Sequence, residues 1–470
     1  MSQQREELKR LKLESATERC QAIEESLKLF QGRIESSPAT RKVIELILRA
    51  IGGIKNFIET ESANPDLVLL TDAELEKRIH RVTRVIPAIH LLVGIVEHSD
   101  ITSVPAELAA PLRTEIDNLY SSTAELIITS SPTLNYSIQR LARADLQESL
   151  NLKRHHLKGF PKRLFVASLP SIEYDQALQH CIFAHELSHP LWEDLKIQKS
   201  LPRLTLDNKR LLQLTERLGK RNSGSKKKRD AFKALEEASR APQRVSAATL
   251  EWCKELTSDL FALALFGPAF LFSVIYFTCS FNRLDSASDS HPPPRLRLNL
   301  LFRFLDLLYT AKSVFSPKTR TFLNKWRLIG AQQIHVKEEV HELVLDTLRK
   351  SEISDRLPSL AFELLPKLRS RYTQKDYKRD IKVLCPLIEA QIPPAEYLFK
   401  GEHVRANFVG ILNAGWESYL KGLKGYQAKL PQGRKTTPYE VKRNYNSFLL
   451  KALELNDAIR SWRASLDTLQ

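Results

Sequence analysis

Apolar residues recur at helical spacing along most of this chain. Near its start they follow a 3,4,3,4,3 spacing and form one apolar seam, which comprises Leu13, Ala16, Cys20, Ile23, Leu27 and Phe30. Clusters of Ser, Asn and Pro interrupt the periodic segments at 36–38, 63–65 and 130–132 and predict turns. Residues 1–152 are therefore predicted to form an N-terminal helical bundle, in which the first helix packs on its neighbours.

The helical spacing of apolar residues is no longer continuous in residues 153–312. The sequence RLFVAS at 163–168 is the best candidate for a β-strand in the chain. Residues 196–245 are polar and basic and are predicted to form an insertion, with an amphipathic helix around 211–218 and a loop at 220–229. A long apolar stretch then begins.

Residues 260–281 contain no charged side chain, and a helix of this length could cross a bilayer. Gly267 and Pro268 interrupt the segment, and no second segment of this length occurs in the chain. A helix that is buried on all sides in a large core has the same pattern. The buried helix is favoured, and contact with a membrane is the alternative.

Residues 313–470 again have helical spacing, with breaks near Pro358, Pro386, Pro393 and Pro431. The chain has 470 residues but only 15 glycines, and it has long runs rich in Leu, Glu, Lys, Arg and Ala. These residues lose little side-chain freedom in a helix. Composition therefore predicts a mainly α protein with few strands, and its length allows two or three domains.

Lys and Arg exceed Asp and Glu by 16, which suits an anionic partner such as nucleic acid, an acidic protein or anionic lipid. The excess is spread over most of the chain. Its densest run, KKKR at 226–229, lacks the interleaved aromatic residues that stack on bases. A solvated loop is favoured there, and an anion-binding patch is the alternative.

The five cysteines lie far apart and include no CxxC pair, so a disulfide framework is not expected. The N-terminal sequence MSQQREELKRLKLES also lacks the apolar segment of a secretory signal. Both features favour a cytoplasmic protein.

The strongest chemical motif is HELSH at 185–189, an HExxH sequence. On a helix, His185 and His189 lie four residues apart on one face, where they can bind one zinc ion. Glu186 then lies beside the water on that ion and can act as its general base and acid. The motif therefore predicts a zinc hydrolase.

A second motif, ELTSD at 255–259, opens another apolar segment 66 residues after His189. Catalytic zinc sites commonly have three protein ligands and leave the fourth position to water. Glu255 is the predicted third ligand. Asp259, one helical turn later, is predicted to accept a hydrogen bond from the outer nitrogen of a zinc-binding histidine.

The third motif is HPPPRLR at 291–297. In their order, HExxH, ExxxD and HPPxxxR resemble the gluzincin metallopeptidases that include the CAAX prenyl proteases and the HtpX proteases. The resemblance covers about 160–310 and implies zinc binding by the two histidines and Glu255. It also implies that His291 helps to hold the substrate or its oxyanion, and that Arg297 pairs with Asp259.

The same resemblance implies that a peptide substrate adds as a strand to an edge strand before the HExxH helix. The predicted substrate edge strand is therefore the segment formed by Leu164, Phe165, Val166, Ala167 and Ser168. Pro190 directly follows the second histidine and predicts that the helix ends or kinks there.

These motifs predict a zinc-dependent endopeptidase that holds one Zn²⁺ per chain. The predicted fold is mainly α, with a central zincin-like unit at 153–312 that contains a small β-sheet. Helical domains at 1–152 and 313–470 flank that unit and are expected to gate access or to bind a regulatory protein. The alternatives are a scaffold with a catalytically silent zinc site and a nucleic-acid-associated protein.

Overall fold

The structure is a computed structural model of the chain. The residues that it describes are 17–28, 38–63, 71–99, 106–120, 124–132, 136–150, 161, 163–171, 175–221, 228–281, 283–310, 314–399, 402–430 and 437–467. They form two compact units, Met1–Asp175 and Gln176–Gln470. The boundary between the units falls within the predicted central segment, so that 153–175 belong to the first unit and 176–312 share the second unit with the predicted C-terminal segment.

The first unit contains five helices and three strands among the residues that the structure describes. The helices are α1 (17–28), α2 (Pro38–Ser62), α3 (Asp72–Glu97), α4 (Ala106–Tyr120) and α5 (Arg143–Ser149). Cys20, Ile23 and Leu27 are buried in a shared apolar core, which confirms the predicted seam over its described part. Leu13, Ala16 and Phe30 lie outside the described residues.

The strands are β1 (Ala124–Ser131), β2 (Ser137–Ala142) and β3 (Arg163–Pro170), in the order β1-β3-β2. The prediction that only helices occupy 1–152 is therefore wrong for β1 and β2. β3 confirms the predicted strand, but the prediction that it forms an edge is wrong. It pairs in parallel with β1 on one side and antiparallel with β2 on the other, so both rows of its backbone groups are used.

The second unit is almost entirely helical. It begins with a 3-10 helix (Ala177–Ile182) and α6 (Phe183–Asp194) and continues through α7 (Asn208–Arg221), α8 (Lys228–Phe266), α9 (Pro268–Phe281), α10 (Pro294–Leu308), α11 (Pro317–Gly330), α12 (Glu339–Lys350), α13 (Ile353–Leu364) and α14 (Gln374–Glu389). A short antiparallel hairpin of β4 (Glu396–Phe399) and β5 (Glu402–Arg405) precedes α15 (Phe408–Leu420), α16 (Lys424–Gln427) and α17 (Pro438–Asp467). The predicted mainly α fold is confirmed.

The uncharged segment 260–281 spans two buried helices. Gly267, with φ of +65°, separates α8 from α9, and this left-handed conformation is one that glycine adopts at low cost. Side chains on both sides of it are buried, among them Phe261, Phe266, Phe270 and Phe272. Among the described helices, none is both long enough and apolar enough to cross a membrane.

The described part of the basic segment 196–245 contributes to two helices. α7 contains the predicted amphipathic helix at 211–218, and α8 runs without a break from Lys228 through Pro242 to the apolar segment. Residues 222–227, which include most of the predicted basic loop, lie outside the described residues.

Candidate metal centre

Helix α6 places its two motif histidines side by side. Their rings are 4.6 Å apart between centroids and nearly perpendicular, as residues four apart on one face allow. Of the two outcomes predicted for Pro190, an end or a kink, the helix end is wrong, because α6 continues to Asp194. A proline there removes one main-chain hydrogen bond near the helix end, and the last turn still forms.

The carboxylate of Glu255, on α8, lies against both histidines. Its Oε2 is 3.2 Å from His185 Nε2, and its Oε1 is 3.4 Å from His189 Nε2. One ligand atom from each of these three residues lies within 4.8 Å of the other two, so together they could hold a metal ion. Two imidazole nitrogens and one carboxylate oxygen form a donor set that suits a divalent transition metal.

Glu255 also leaves a buried polar atom without a hydrogen bond. Among the residues that the structure describes, none makes a hydrogen bond to Oε2, although the side chain is only 10% exposed. A buried carboxylate oxygen without such a partner is costly, whereas a cation between it and the imidazoles would satisfy it. The residues therefore fit a bound metal ion.

Asp259 lies one turn beyond Glu255 and supports the cluster from behind. Its Oδ1 is 2.8 Å from His185 Nδ1, so the inner nitrogen of that histidine, Nε2, faces Glu255. Arg297, on α10, donates two hydrogen bonds of 2.7 Å to the same carboxylate. The contact predicted for Asp259 and the Arg297–Asp259 pair that the resemblance implies are both present.

The charges in this cluster determine its protonation. Burial opposes the charged form of each group, but the adjacent Asp259 carboxylate raises the pKa of His185 to about 10. Burial and the neighbouring His185 lower the pKa of His189 to about 3. Against burial, the adjacent His185 ring and the Arg297 guanidinium lower the pKa of Glu255 to about 2. Because a metal ion binds neutral imidazole, metal binding at this cluster would compete with protonation of His185.

The outer nitrogen of the second histidine has a partner that the sequence motifs did not reveal. Ser258 Oγ lies 3.2 Å from His189 Nδ1. Ser258 is buried, and it lies on α8 between the candidate ligand Glu255 and Asp259. Its position three residues after Glu255 was the available signal, because residues three apart share a helix face.

His291 reaches the same cluster from the turn before α10. Its Nε2 is 3.8 Å from Glu255 Oε2, and 62% of its side chain is exposed. Ser290 Oγ lies 2.8 Å from the other ring nitrogen, Nδ1. A ring that faces both solvent and the cluster can contact a bound substrate.

Glu186 follows His185 directly on α6 and is partly exposed. The predicted substrate strand, from Leu164 to Ser168, lies instead at the centre of the sheet of the first unit.

A second group, Asp289, Glu338 and His341, also has three ligand atoms close together. Arg244 already donates to both oxygens of Asp289, at 2.6 and 2.8 Å, and to Glu338 at 3.2 Å. Its guanidinium supplies the positive charge that a metal ion would otherwise bring. This group is therefore an ion-pair network.

No protein family, no curated protein and no solved structure matches this chain.

Proposed function

We propose that this protein is a zinc-dependent endopeptidase whose metal ligands are His185, His189 and Glu255. The observation that carries the proposal is the convergence of two imidazole Nε2 atoms on one buried carboxylate, 3.2 and 3.4 Å away. Zinc in hydrolases commonly has three such ligands and an open fourth position. The HExxH spacing adds a carboxylate, Glu186, beside that position.

Bound zinc would acidify a water molecule and polarise a peptide carbonyl. Glu186 would take the proton from that water and later give it to the leaving amine nitrogen. His291 would donate a hydrogen bond to the oxygen that becomes negative during attack. Arg297 and Asp259 would act through His185 by fixing its ring, and they would not touch the substrate.

A protein or peptide is the proposed substrate, and the helical segments outside the three motifs are proposed to control access or to bind a regulatory partner. β3 offers no free edge for an added strand, since both of its sides are paired. Leu164 to Ser168 therefore cannot pair with a substrate strand as the sequence analysis predicted.

Zinc content and proteolysis test the proposal together. Elemental analysis of the purified full chain should give one zinc, which His185→Ala and Glu255→Ala should each remove. Glu251→Gln is the matched control, since Glu251 is an exposed residue one turn earlier on the same helix. With fluorogenic casein as the probe, Glu186→Gln should keep the zinc but lose activity by a factor of about 10³ or more. Glu193→Gln, at an exposed position of α6, should lose neither.

Two results would count against the proposal. If the Glu255→Ala variant retains its zinc, Glu255 is not a ligand and the proposed three-ligand site is wrong. One zinc per chain, with no Glu186-dependent hydrolysis of casein or of a mixed peptide library, would favour the scaffold with a silent zinc site.

A further inference from the structure

The turn that carries His291 is fixed at its base. The main-chain N–H of Arg295 donates to the carbonyl of Leu284, at 2.9 Å, and closes the segment between them. The Arg295 guanidinium donates to both oxygens of Asp285, at 2.7 and 3.1 Å. Pro292 and Pro293 are buried and restrict the backbone directly after His291.

The tip of the turn is held by a clamp formed by Arg244, Asp289 and His341. Arg244 binds the Asp289 carboxylate in bidentate fashion, and His341 Nε2 lies 3.0 Å from Asp289 Oδ1. Trp252 also donates from its ring nitrogen to the carbonyl of Ser288, at 2.8 Å. His341 is 3% exposed and Trp252 is fully buried, so the clamp is anchored in the core of the second unit.

Two serine hydroxyls link this fixed turn to the ring of His291. The main-chain N–H of His291 donates to Ser288 Oγ, at 3.0 Å. Ser288 Oγ lies 3.2 Å from Ser290 Oγ, which in turn lies 2.8 Å from His291 Nδ1. Together these contacts form a closed loop of hydrogen bonds around one residue.

The hydrogen atoms in this loop can be assigned from their partners. The hydroxyls leave two directions open, and in one of them Ser288 accepts from the main chain and donates to Ser290. Ser290 then donates to His291 Nδ1, and a neutral imidazole that accepts at Nδ1 carries its hydrogen on Nε2. The carboxylate oxygen of Glu255, 3.8 Å from Nε2, favours this direction, because two acceptors would otherwise face each other.

We propose that Ser288 and Ser290 form a hydroxyl relay, held in place by the clamp, that fixes His291 in the tautomer with a hydrogen on Nε2. His291 then presents a hydrogen-bond donor toward the metal centre before substrate arrives. Ser290 is a positioning residue, since it acts through His291. The use of this donor in catalysis rests on the proposed function, whereas the tautomer itself does not.

The test combines a spectroscopic and a kinetic measurement on the zinc-loaded full chain. Long-range ¹H–¹⁵N spectra of protein labelled in histidine report which ring nitrogen carries the hydrogen, and His291→Ala identifies the signal of His291. The variants are Ser290→Ala, Ser290→Thr, which keeps the hydroxyl, and Ser286→Ala. Ser286 is an exposed serine of the same turn and is the matched control.

The wild type should show His291 with its hydrogen on Nε2. Ser290→Ala should populate the Nδ1–H tautomer and lower kcat for casein about fivefold at unchanged KM, as expected for one lost hydrogen bond. Ser290→Thr and Ser286→Ala should both show the wild-type tautomer of His291 and the wild-type kcat. All of these variants should retain one zinc per chain.

An unchanged His291 signal in Ser290→Ala would overturn the relay. Loss of zinc in His291→Ala would also overturn it, because His291 would then be a metal ligand. Failure to cleave casein in the wild type would remove the proposed function and leave the spectra to decide the tautomer.

Discussion

Arg297 donates two hydrogen bonds of 2.7 Å to Asp259, one to each carboxylate oxygen. One of those oxygens is also 2.8 Å from His185 Nδ1. Asp259 is 1% exposed, and Arg297 and His185 together keep its pKa below the usual range despite burial. A single buried carboxylate thus connects α10 to His185, the first of the proposed metal ligands.

Replacing Arg297 should therefore weaken metal binding, because Arg297 holds the carboxylate that positions the ring of His185. We expect Arg297→Met to raise the zinc dissociation constant by about tenfold to a hundredfold, the usual range for a lost partner of a ligand. Arg297→Lys keeps the charge but not the two parallel hydrogen bonds. Its zinc dissociation constant should therefore lie between those of Arg297→Met and the wild type. Competition with a chromogenic chelator measures the constant.

Arg303→Met provides the control for this comparison, since Arg303 is on the same helix and pairs with Asp355. Equal losses in Arg303→Met and Arg297→Met would show that the effect comes from α10 as a whole and not from Asp259.

Ser258 should stabilise metal binding through His189. Ser258→Ala removes the partner of His189 Nδ1, and we expect zinc affinity to fall about fivefold, the value of one hydrogen bond. Thr257→Val is the matched control, because the Thr257 hydroxyl donates to the Cys253 carbonyl of its own helix. An effect of the same size in Thr257→Val, measured by the same competition assay, would contradict the role of Ser258.

Gly267 should be indispensable to the junction between α8 and α9. Its φ is +65°, and a Cβ atom would lie 2.5 Å from Tyr372 Cδ1. Gly267→Ala should therefore destabilise the second unit by about 3 kcal/mol, from backbone strain and overpacking. All five tryptophans lie in this unit, so denaturant unfolding followed by tryptophan fluorescence reports on it.

Gly425→Ala is the control for Gly267, since its Cβ would meet its nearest neighbour at 3.5 Å, an ordinary contact. If Gly267→Ala unfolds at a denaturant concentration no lower than Gly425→Ala does, the predicted steric clash is refuted.

Glu115 should make the first unit less stable at alkaline pH. Burial raises the pKa of this α4 carboxyl to about 7, from 4.5 in an unfolded chain. Its contribution to stability is therefore complete below pH 4.5 and is lost as pH rises through 7. Above that pH the buried charge costs up to about 3 kcal/mol.

Glu115→Gln removes this titration. At pH 8 we expect the variant to exchange the amide hydrogens of 106–131 more slowly than the wild type at the same pH, and at pH 4 the two should match. The exposed Glu59 provides the control, Glu59→Gln. A stabilisation by Glu115→Gln that is as large at pH 4 as at pH 8 would exclude titration as its cause.

Local sequence signals predicted part of the fold. Helical spacing and low glycine content predicted the helices, because both act within a few residues. The β-branched run Ile127, Ile128 and Thr129 was an available signal for β1. No local signal could show that β3 lies between two neighbours, since the pairing of strands is a long-range contact.

The sequence by itself determined that His185 and His189 share one helix face, and that Asp259 lies one turn beyond Glu255. Those relations follow from helix geometry alone. Only the tertiary structure brought Glu255 to the histidines, set Ser258 against His189 and held the His291 turn with Arg244 and His341. Such contacts depend on how helices pack, and packing is decided by the whole unit together.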